Sequence, residues 1–262
     1  MKLVVGIDIG SLTAKIIVLS VSEQKDDNFN QKYSFIRRVG YNPAAVANDL
    51  ISKAMNALKV NNFDYTISTG YGRKLARTNE NITEITCHAK GAFSINSKIR
   101  TIVDIGGQDS KVIQINNSGQ VQDFEMNDKC SAGTGRFLEV MANALEVEIS
   151  EFGNQALIST DPASISSICT VFAESEVISR INQGTNRLDI IAGIHRTIAI
   201  KIAALAARVG INPMVALTGG VALNPGVKKM LEDQLNVVIE VPEHPQMVGA
   251  LGAALIAAER LQ

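Results

Sequence analysis

Two stretches of the chain share one pattern: "VVGIDIGSLTAKIIVL" at residues 4–19 and "TIVDIGGQDSKVIQI" at residues 101–115. Each is a buried apolar strand, a glycine-containing turn and a second apolar strand, which is typical of a β-hairpin. Asp8 matches Asp104, which lies 96 positions later, and the following glycine and lysine match at the same offset. An internal duplication of this kind predicts two similar α/β lobes.

The periodicity of the apolar residues divides the rest of the chain into helices and strands. The predicted helices are 43–59, 131–145, 170–182, 189–209, 226–234 and 247–261, and the predicted strands outside the hairpins are 64–69, 215–220 and 237–241. We place a linker at 91–100 and a polar hairpin tip at 22–32. The expected domains are an N-terminal lobe over 1–97, completed by a C-terminal helix at 247–262, and a C-terminal lobe over 98–246.

The composition excludes several classes of function. The chain has 262 residues, of which 46% are apolar and 19% charged, and its net charge is −1. A chain without a basic surplus gives no sign of a nucleic-acid partner, and we expect neither an apolar run of membrane-spanning length nor a signal peptide. We therefore expect a cytoplasmic protein that uses its three cysteines as thiols or ligands rather than as disulfides.

Both hairpin turns carry groups suited to a nucleotide phosphate. Glycine allows backbone N–H groups to converge on an anion. In the first turn, Ser11 and Thr13 add hydroxyl groups and Lys15 adds positive charge. Asp8 and Asp104 end their strands, where carboxylates can hold a hydrated Mg²⁺. The first turn therefore predicts phosphate binding, with Mg²⁺ beside it.

The second turn adds Gly106 and Gly107 as backbone donors, followed by Gln108 and Asp109. Either of these two side chains could orient a water for attack on a γ-phosphate. Two matching turns that face each other across a cleft, together with a third glycine turn at 218–220, predict ATP or ADP binding. We assign the catalytic roles to Asp8, Asp104, Gln108 and Asp109.

Two of the cysteines precede amphipathic runs, so we place Cys130 and Cys169 at helix N-termini, where the helix dipole stabilises a thiolate or an anionic cluster. The alternative is that each is a small buried residue. A zinc or [4Fe–4S] site takes four protein ligands. Two copies of each cysteine in a symmetric homodimer would supply them. Cys87 has no such setting, and we interpret it as structural.

Distinctive segments are spread over nearly the whole chain. They are "GIDIGS", "STGYGR", "CHAKGA", "VDIGGQDSKVI", "MNDKCSAGTGRFLEVMAN", "CTVFAESEVISRI", "DIIAGIHR", "TGGVALN" and "GALGAAL". Together they resemble the activators of 2-hydroxyacyl-CoA dehydratases, sometimes called archerases, and the related ATPase subunits of benzoyl-CoA reductases, which form the BadF/BadG/BcrA/BcrD ATPase family. The order DIG, DIGG, TGG also resembles the phosphate and adenosine motifs of actin-like ATPases. The resemblance implies the actin-like (ribonuclease H-like) fold, with two α/β lobes around a nucleotide cleft.

The resemblance implies an ATP-driven electron donor. One [4Fe–4S] cluster per homodimer would be held by Cys130 and Cys169 of each subunit. Reduced ferredoxin or flavodoxin would supply an electron, and ATP hydrolysis would deliver it at low potential. The acceptor would be an iron–sulfur 2-hydroxyacyl-CoA dehydratase or a related reductase component.

The resemblance also implies which residues contact the nucleotide. Gly219 and Gly220 would approach the α-phosphate and the ribose, and Gln246 would lie beside the adenine. Family members often have glutamine where this chain has Leu223, so one nucleotide contact expected in the family has no counterpart at this position. Asn224 is adjacent to it. The full set expected to bind ATP or ADP is Gly10, Ser11, Leu12, Thr13, Ala14, Lys15, Gly106, Gly107, Gln108, Gly133, Gly135, Gly219, Gly220, Asn224 and Gln246.

Two other functions fit parts of the pattern. A small-molecule kinase of the same superfamily, acting on a sugar or a pantothenate-like alcohol, would need a substrate base and pocket insertions for which the chain has little spare length. An actin-type filament former would have no use for two such cysteines. We assign no role to His88 and His195, which we expect to be surface or capping histidines.

Overall fold

The computed structural model describes residues 2–22, 30–166 and 169–261. The pattern of contacts divides the chain into two compact units. The first unit comprises Met1–Ile99, Ile115–Gln122 and Gln246–Gln262, and the second comprises Arg100–Gln114 and Asp123–Pro245. Most of the polar hairpin tip expected at 22–32 lies outside the described residues.

The first unit is built on a sheet with strand order β3-β2-β1-β4-β5. Its strands are β1 (Lys2–Ile9), β2 (Thr13–Val21), β3 (Asn30–Arg38), β4 (Tyr65–Thr69) and β5 (Glu80–Asn81), and its helices are α1 (Pro43–Leu58), α2 (Glu84–Ile95) and α8 (Val248–Glu259). β1 pairs antiparallel with β2 and parallel with β4. The central strand β1 is therefore paired along both edges, and every residue after Lys2 is buried, as its almost continuous apolar sequence predicts.

The second unit repeats that order as β8-β7-β6-β9-β10. Its sheet consists of β6 (Thr101–Ile105), β7 (Ser110–Ile115), β8 (Val121–Asn127), β9 (Val215–Thr218) and β10 (Ile239–Glu240), although the last residue of β7 and the first two of β8 are grouped with the first unit. Its helices are α3 (Gly135–Ala144), α4 (Ile149–Ala156), α5 (Thr170–Asn182), α6 (Arg187–Val209) and α7 (Pro225–Leu235). β6 again pairs antiparallel with the next strand and parallel with β9. The two sheets confirm the predicted duplication of an α/β lobe.

The duplication extends to the turns that close the two strand pairs. Asp8 lies opposite Lys15 across β1 and β2, and Asp104 lies opposite Lys111 across β6 and β7. A backbone hydrogen bond spans each turn at matched positions, from Gly10 N to the carbonyl of residue 13 at 3.0 Å and from Gly106 N to that of residue 109 at 2.9 Å. The turns therefore share one backbone geometry as well as one sequence pattern.

Several expectations about the elements were wrong or incomplete. The linker expected at 91–100 begins inside α2, which continues to Ile95. The helix expected at 131–145 begins only at Gly135, because Gly133 adopts a positive φ of 87° that is incompatible with a helix. Apolar periodicity did not identify β3, β5, β8, α2 or α4. β3 is mostly exposed, β8 has no buried residue, β5 has two residues and α4 has eight, so each carries little periodic signal.

One helix corrects the expectation that no apolar run approaches membrane-spanning length. Within the described residues, α6 is long and apolar enough to cross a membrane when judged by length and composition alone, with 23 residues and a mean hydropathy of 1.6 over its most apolar window. Its buried residues, including Ile190, Ile194 and Ile198, belong to the hydrophobic core of the second unit. The apolar side chains of α6 thus pack in this core.

Helix α8 packs against α2 at van der Waals contact of their backbones. A Cβ placed on Gly252 would lie 1.8 Å from the carbonyl oxygen of Cys87, and one on Gly91 would lie 2.1 Å from that of Val248. Real Cβ atoms do not approach so closely, so only glycine fits at either position. The small residues of the C-terminal helix therefore allow it to become part of the first unit.

Both histidines that we expected to be surface or capping residues are buried. His195, on α6, is fully buried, and His88, on α2, is nearly so. The Nδ1 of His195 lies 2.8 Å from the carbonyl oxygen of Ile191, which can only accept a hydrogen bond, so Nδ1 carries the proton. Its Nε2 accepts from Nδ2 of Asn224 at 3.1 Å, and its ring packs against Phe152. Burial lowers the pKa of His195 from 6.5 to about 4, so the ring is neutral at pH 7.

Replacing Gly252 with Ala should destabilise the protein through the contact between α8 and α2. Alanine gains about 1 kcal/mol of helix propensity over glycine, but overpacking typically costs about 1–3 kcal/mol and more where the clash is with backbone. We expect a net loss of about 2 kcal/mol or more in the free energy of unfolding, measured by urea denaturation.

Glu259→Ala is the matched control, because it removes an exposed ion pair with Lys90 that also joins α8 to α2. We expect it to cost no more than about 1 kcal/mol. Equal losses for the two variants would contradict a backbone contact as the main constraint on α8.

His195 should make the protein less stable in mild acid. Because its pKa is lowered in the folded state, the unfolded chain binds the proton more tightly, and the contribution of the neutral ring is complete above pH 6.5 and lost as the pH falls toward 4. At about 1.4 kcal/mol per pKa unit, the loss is on the order of 3 kcal/mol.

The measurement is the free energy of unfolding at pH 7.5, 5.5 and 4.5. His195→Gln should be less stable than the wild type at pH 7.5, but its free energy of unfolding should change less across this pH range. His244→Gln, at an exposed position, should show the same pH dependence as the wild type. If His195→Gln also keeps the full slope, another group causes the acid sensitivity.

Candidate functional site

The first turn presents a buried ion pair beneath its glycine. Nζ of Lys15 lies 3.0 Å from Oδ2 of Asp8, and both side chains are largely buried. Gly10 donates its N–H to the carbonyl of Thr13 across the turn. The lysine that we expected to contact phosphate thus neutralises the aspartate that we expected beside Mg²⁺.

The remaining members of the first-turn set divide between the surface and the core. Ser11, Leu12 and Thr13 are half-buried, whereas the side chain of Ala14 is fully buried in the sheet. Ala14 can therefore contribute to a bound ligand only through its backbone. The hydroxyl groups of Ser11 and Thr13 remain the polar side-chain groups that this turn offers.

The second turn repeats the ion pair and extends it. Nζ of Lys111 lies 3.2 Å from Oδ2 of Asp104 and also pairs with the carboxylate of Asp109. Oγ1 of Thr218 donates to Oδ1 of Asp104 at 2.9 Å. Both oxygens of the Asp104 carboxylate are thus held inside the second unit, while the side chain of Gln108 is exposed at the turn. Of the two candidates for orienting water, Asp109 is held by a lysine and Gln108 projects outward.

The N-terminus of α3 is attached to the second turn. The N–H of Gly135 donates to the carbonyl of Gly106 at 2.9 Å, and the N–H of Arg136 donates to that of Gly107 at 2.8 Å. The first amides of a helix have no partner within it, so these bonds satisfy two of them. The turn expected to bind phosphate and the helix that follows Cys130 are therefore joined directly.

The third glycine turn lies against the second. Gly219 has a φ of 86°, and a Cβ placed on it would lie 2.3 Å from the carbonyl oxygen of Ile105 and 2.9 Å from Oδ1 of Asp104. The positive φ and the close approach both require glycine here. The fold thus brings Gly219 to the carboxylate that we assigned to catalysis, from 115 positions away in the sequence.

Both ends of the side-chain amide of Asn224 form hydrogen bonds within the fold. Its Oδ1 accepts from the N–H of Val227 at 3.0 Å, which caps α7, and its Nδ2 donates to His195. The preceding residue, Leu223, is exposed, and Gln246 is half-buried. Asn224 therefore anchors the turn that begins at Gly220, and this role was not apparent from the sequence.

The two cysteines are brought together by the residues that follow them. Oγ of Ser131 lies 2.9 Å from Oγ1 of Thr170, so Cys130 and Cys169 each adjoin one member of a hydrogen-bonded pair. Cys169 is exposed and is the N-cap residue of α5, as expected. Cys130 is partly exposed but lies in the loop before the N-cap residue Thr134, so its placement at a helix N-terminus was wrong.

The helix that begins after Cys169 leaves part of its apolar face uncovered. Ala173 and Val177 are buried, but Val171 and Phe172 are each 67% exposed and Ile178 is 49% exposed. The sequence pattern predicts one apolar face on this helix but does not show what covers it. A largely exposed apolar group of this size beside a free cysteine is typical of an interaction surface.

Cys87 differs from the other two cysteines in every respect. It lies on α2 and is fully buried in the core of the first unit. Burial raises the pKa of its thiol from 9.0 to about 12. A thiol with so little thiolate is a poor ligand and nucleophile.

Two glycines lie against the Asp8 carboxylate, although their sequence motifs predict no role for them there. A Cβ placed on Gly249 would lie 2.9 Å from Nε2 of His88 and 3.3 Å from Oδ2 of Asp8, and one on Gly70 would lie 2.4 Å from the other carboxylate oxygen. These residues surround the Asp8 carboxylate. Such close approaches depend on long-range packing, although the repeated glycine in "STGYGR" and "GALGAAL" is a signal that could have pointed to them.

The chain matches known proteins over nearly its whole length. Residues 5–257 match the BadF/BadG/BcrA/BcrD ATPase family. The (R)-2-hydroxyglutaryl-CoA dehydratase activating ATPase of Acidaminococcus fermentans is 47% identical over 255 residues, which span 96% of this chain and 95% of that protein. A benzoyl-CoA reductase subunit from Thauera aromatica is 34% identical over 268 residues, which span 99% and 94%.

A solved structure is also similar. The activator of the 2-hydroxyisocaproyl-CoA dehydratase from Clostridium difficile, with bound ADPNP, has a TM-score of 0.87 and 39% sequence identity, and the match covers 98% of this chain and 95% of that one. The family resemblance inferred from the motifs is confirmed by these matches. The chain belongs to the BadF/BadG/BcrA/BcrD ATPase family and has the actin-like ATPase fold.

Proposed function

We propose that this protein is an ATP-hydrolysing electron donor that activates a 2-hydroxyacyl-CoA dehydratase or a related reductase component. The observation that carries the proposal is the pairing of Cys130 with Cys169 through the hydrogen bond between Ser131 and Thr170. Family membership supports the ATPase part, because relatives are named as dehydratase-activating ATPases and as part of a benzoyl-CoA reductase.

The donor set fits half of a [4Fe–4S] site. Cys130 and Cys169 are free and at least partly exposed, and thiolates are the ligands that such clusters take. Within the described ranges, no group of three or more His, Cys, Asp or Glu side chains is placed to hold a metal. A second copy of the chain would supply the other two thiolates, and the cluster would provide one-electron redox chemistry when bound.

The uncovered apolar face of α5 supports a homodimer. Val171 and Phe172 follow Cys169 directly and are largely exposed, so a surface that brings the cysteines of two copies together would also cover these side chains. The two requirements, four thiolates and burial of this face, are met by one symmetric contact. The proposed assembly is therefore a homodimer with one cluster.

For the nucleotide, we propose the residues predicted from the two turns. Asp8 and Asp104 would lie beside hydrated Mg²⁺, and Gln108 would orient the attacking water, with Asp109 adjacent. Lys15 and Lys111 already carry positive charge next to these carboxylates, and their ion pairs would rearrange to accommodate phosphate. The rest of the proposed ATP or ADP set is Gly10, Ser11, Leu12, Thr13, Ala14, Gly106, Gly107, Gly133, Gly135, Gly219, Gly220, Asn224 and Gln246.

The bonds between the second turn and α3 offer a route for coupling. A change at the carbonyls of Gly106 and Gly107 on ATP binding or hydrolysis would act on the first amides of α3. The loop that carries Cys130 ends at that helix. Because iron–sulfur potentials respond to nearby hydrogen bonds, charge and solvent exposure, a small displacement there would alter the potential.

The proposed activity also requires an electron source, a reducing compartment and an electron acceptor. Ferredoxin or flavodoxin would supply the electron, and a reducing compartment such as the cytoplasm would keep the cysteines available as ligands. The proposed acceptor is the iron–sulfur dehydratase or reductase component. No nucleic acid or membrane takes part in this scheme.

The reactivity of the three thiols should follow their positions in the fold. In the cluster-free native protein, we expect N-ethylmaleimide to modify Cys169 first and Cys130 next. Cys87 should react at least a hundredfold more slowly, because burial excludes the reagent and the raised pKa removes the thiolate. Peptide mass spectrometry over time gives the three rates, and modification of Cys87 as fast as Cys169 would contradict the packing of α2.

The test of the function is iron and labile sulfide content after anaerobic purification. We expect about four irons per dimer, a visible iron–sulfur absorption band and ATP hydrolysis. Cys130→Ala and Cys169→Ala should each lose the iron, whereas the matched control Cys87→Ala should keep it. Sedimentation velocity on the same samples reports the dimer.

An iron-free wild-type protein after anaerobic reconstitution, still hydrolysing ATP, would refute the electron-donor proposal. In that case a kinase of the same superfamily becomes the better hypothesis. Retention of iron by both Cys130→Ala and Cys169→Ala would instead show that the cluster is held elsewhere.

A further inference from the structure

A lysine from the long core helix reaches the loop of Cys130. Nζ of Lys201, on α6, lies 3.7 Å from Sγ of Cys130 and 3.3 Å from the carbonyl oxygen of Ala132. These residues are about 70 positions apart in the sequence. The sulfur and the carbonyl therefore share one ammonium donor.

The stem of the lysine packs under the same loop. A Cβ placed on Gly133 would lie 3.3 Å from Cδ and 3.5 Å from Cβ of Lys201, and Gly133 has a positive φ. The absence of a side chain at Gly133 allows the loop to lie directly on the methylene groups. Lys201 is half-buried here, so it contributes packing as well as charge.

Other contacts fix the backbone around the sulfur but not the sulfur itself. Nδ2 of Asn127 donates to the carbonyl of Cys130 at 2.8 Å, and the N–H of Thr134 donates to that of Ser131 at 3.1 Å. The bond between Ser131 and Thr170 holds the other side of the loop. Lys201 thus adds the contact that reaches the thiol group.

We propose that Lys201 is a positioning residue that holds the Cys130 loop and, through its charge, raises the reduction potential of the cluster. This inference rests on the proposed function. A positive hydrogen-bond donor at a ligand sulfur stabilises the reduced cluster, which carries one more negative charge, relative to the oxidised one. The loop support operates with or without the cluster, so it can be measured separately.

The experiment compares three substitutions of Lys201 with one on the same helix. Lys201→Met removes the charge and the donor, Lys201→Gln removes the charge but keeps a donor, and Lys201→Arg keeps both. The control Arg208→Met removes another positive charge from α6, one that pairs with Glu125 instead. The visible spectrum at controlled potential gives the cluster's midpoint, and hydrogen exchange of residues 130–134 in the cluster-free protein reports the loop.

At a fixed potential, we expect the ratio of reduced to oxidised cluster to fall about tenfold in Lys201→Met, equivalent to about 59 mV for one electron. Lys201→Gln should show a similar fall, whereas Lys201→Arg and Arg208→Met should stay near the wild type. Exchange in the loop should accelerate in Lys201→Met and less in Lys201→Gln. Loss of iron from Lys201→Met alone would also support the positioning role.

Two results would overturn the inference, and they are distinguishable. A loaded wild type with unchanged midpoint and exchange in Lys201→Met and Lys201→Gln would refute the role of Lys201 and leave the electron-donor proposal intact. A wild type that holds no iron would refute the proposed function and, with it, the effect on potential. If Lys201→Met does not fold, the same comparison is made with Lys201→Gln.

Discussion

A buried lysine paired with an aspartate across two adjacent strands is the constraint on which each unit depends. Placing a charge in the interior costs several kcal/mol unless a partner neutralises it, so Lys111 and Asp104 must stay in register. A slip of one residue would separate them and would also turn the apolar side chains of the strands outward. The same pair, Lys15 and Asp8, fixes the first unit.

The ion pair also fixes the position of the glycine turns that we propose to bind phosphate. The strands that hold it end in glycine turns, and Gly219 approaches the Asp104 carboxylate so closely that no larger residue fits. The strand register therefore determines where the groups proposed to bind phosphate and Mg²⁺ lie. The phosphates of a bound nucleotide would compete with the carboxylate for the lysine, so binding would act directly on the turn.

In the second unit, hydrogen bonds and packing connect the glycine turn to the proposed cluster ligands. The carbonyls of Gly106 and Gly107 hold the start of α3, and the loop before it carries Cys130 over the stem of Lys201. Ser131 then joins the loop to Thr170 at the start of α5. A short path of this kind makes coupling between ATP and a redox centre physically reasonable without any long-range pathway.

The sequence by itself determined the duplication, the glycine turns and Cys169 at the start of α5, because these features depend on residues close together in the chain. Only the tertiary structure decided that Cys130 precedes its helix in a loop, that His195 is buried against Asn224, and that Lys201 lies beside Cys130. It also decided that Val171 and Phe172 face outward, since helical periodicity identifies an apolar face but does not reveal what covers it. Local patterns specify elements, whereas contacts between residues far apart in sequence are set by how those elements pack.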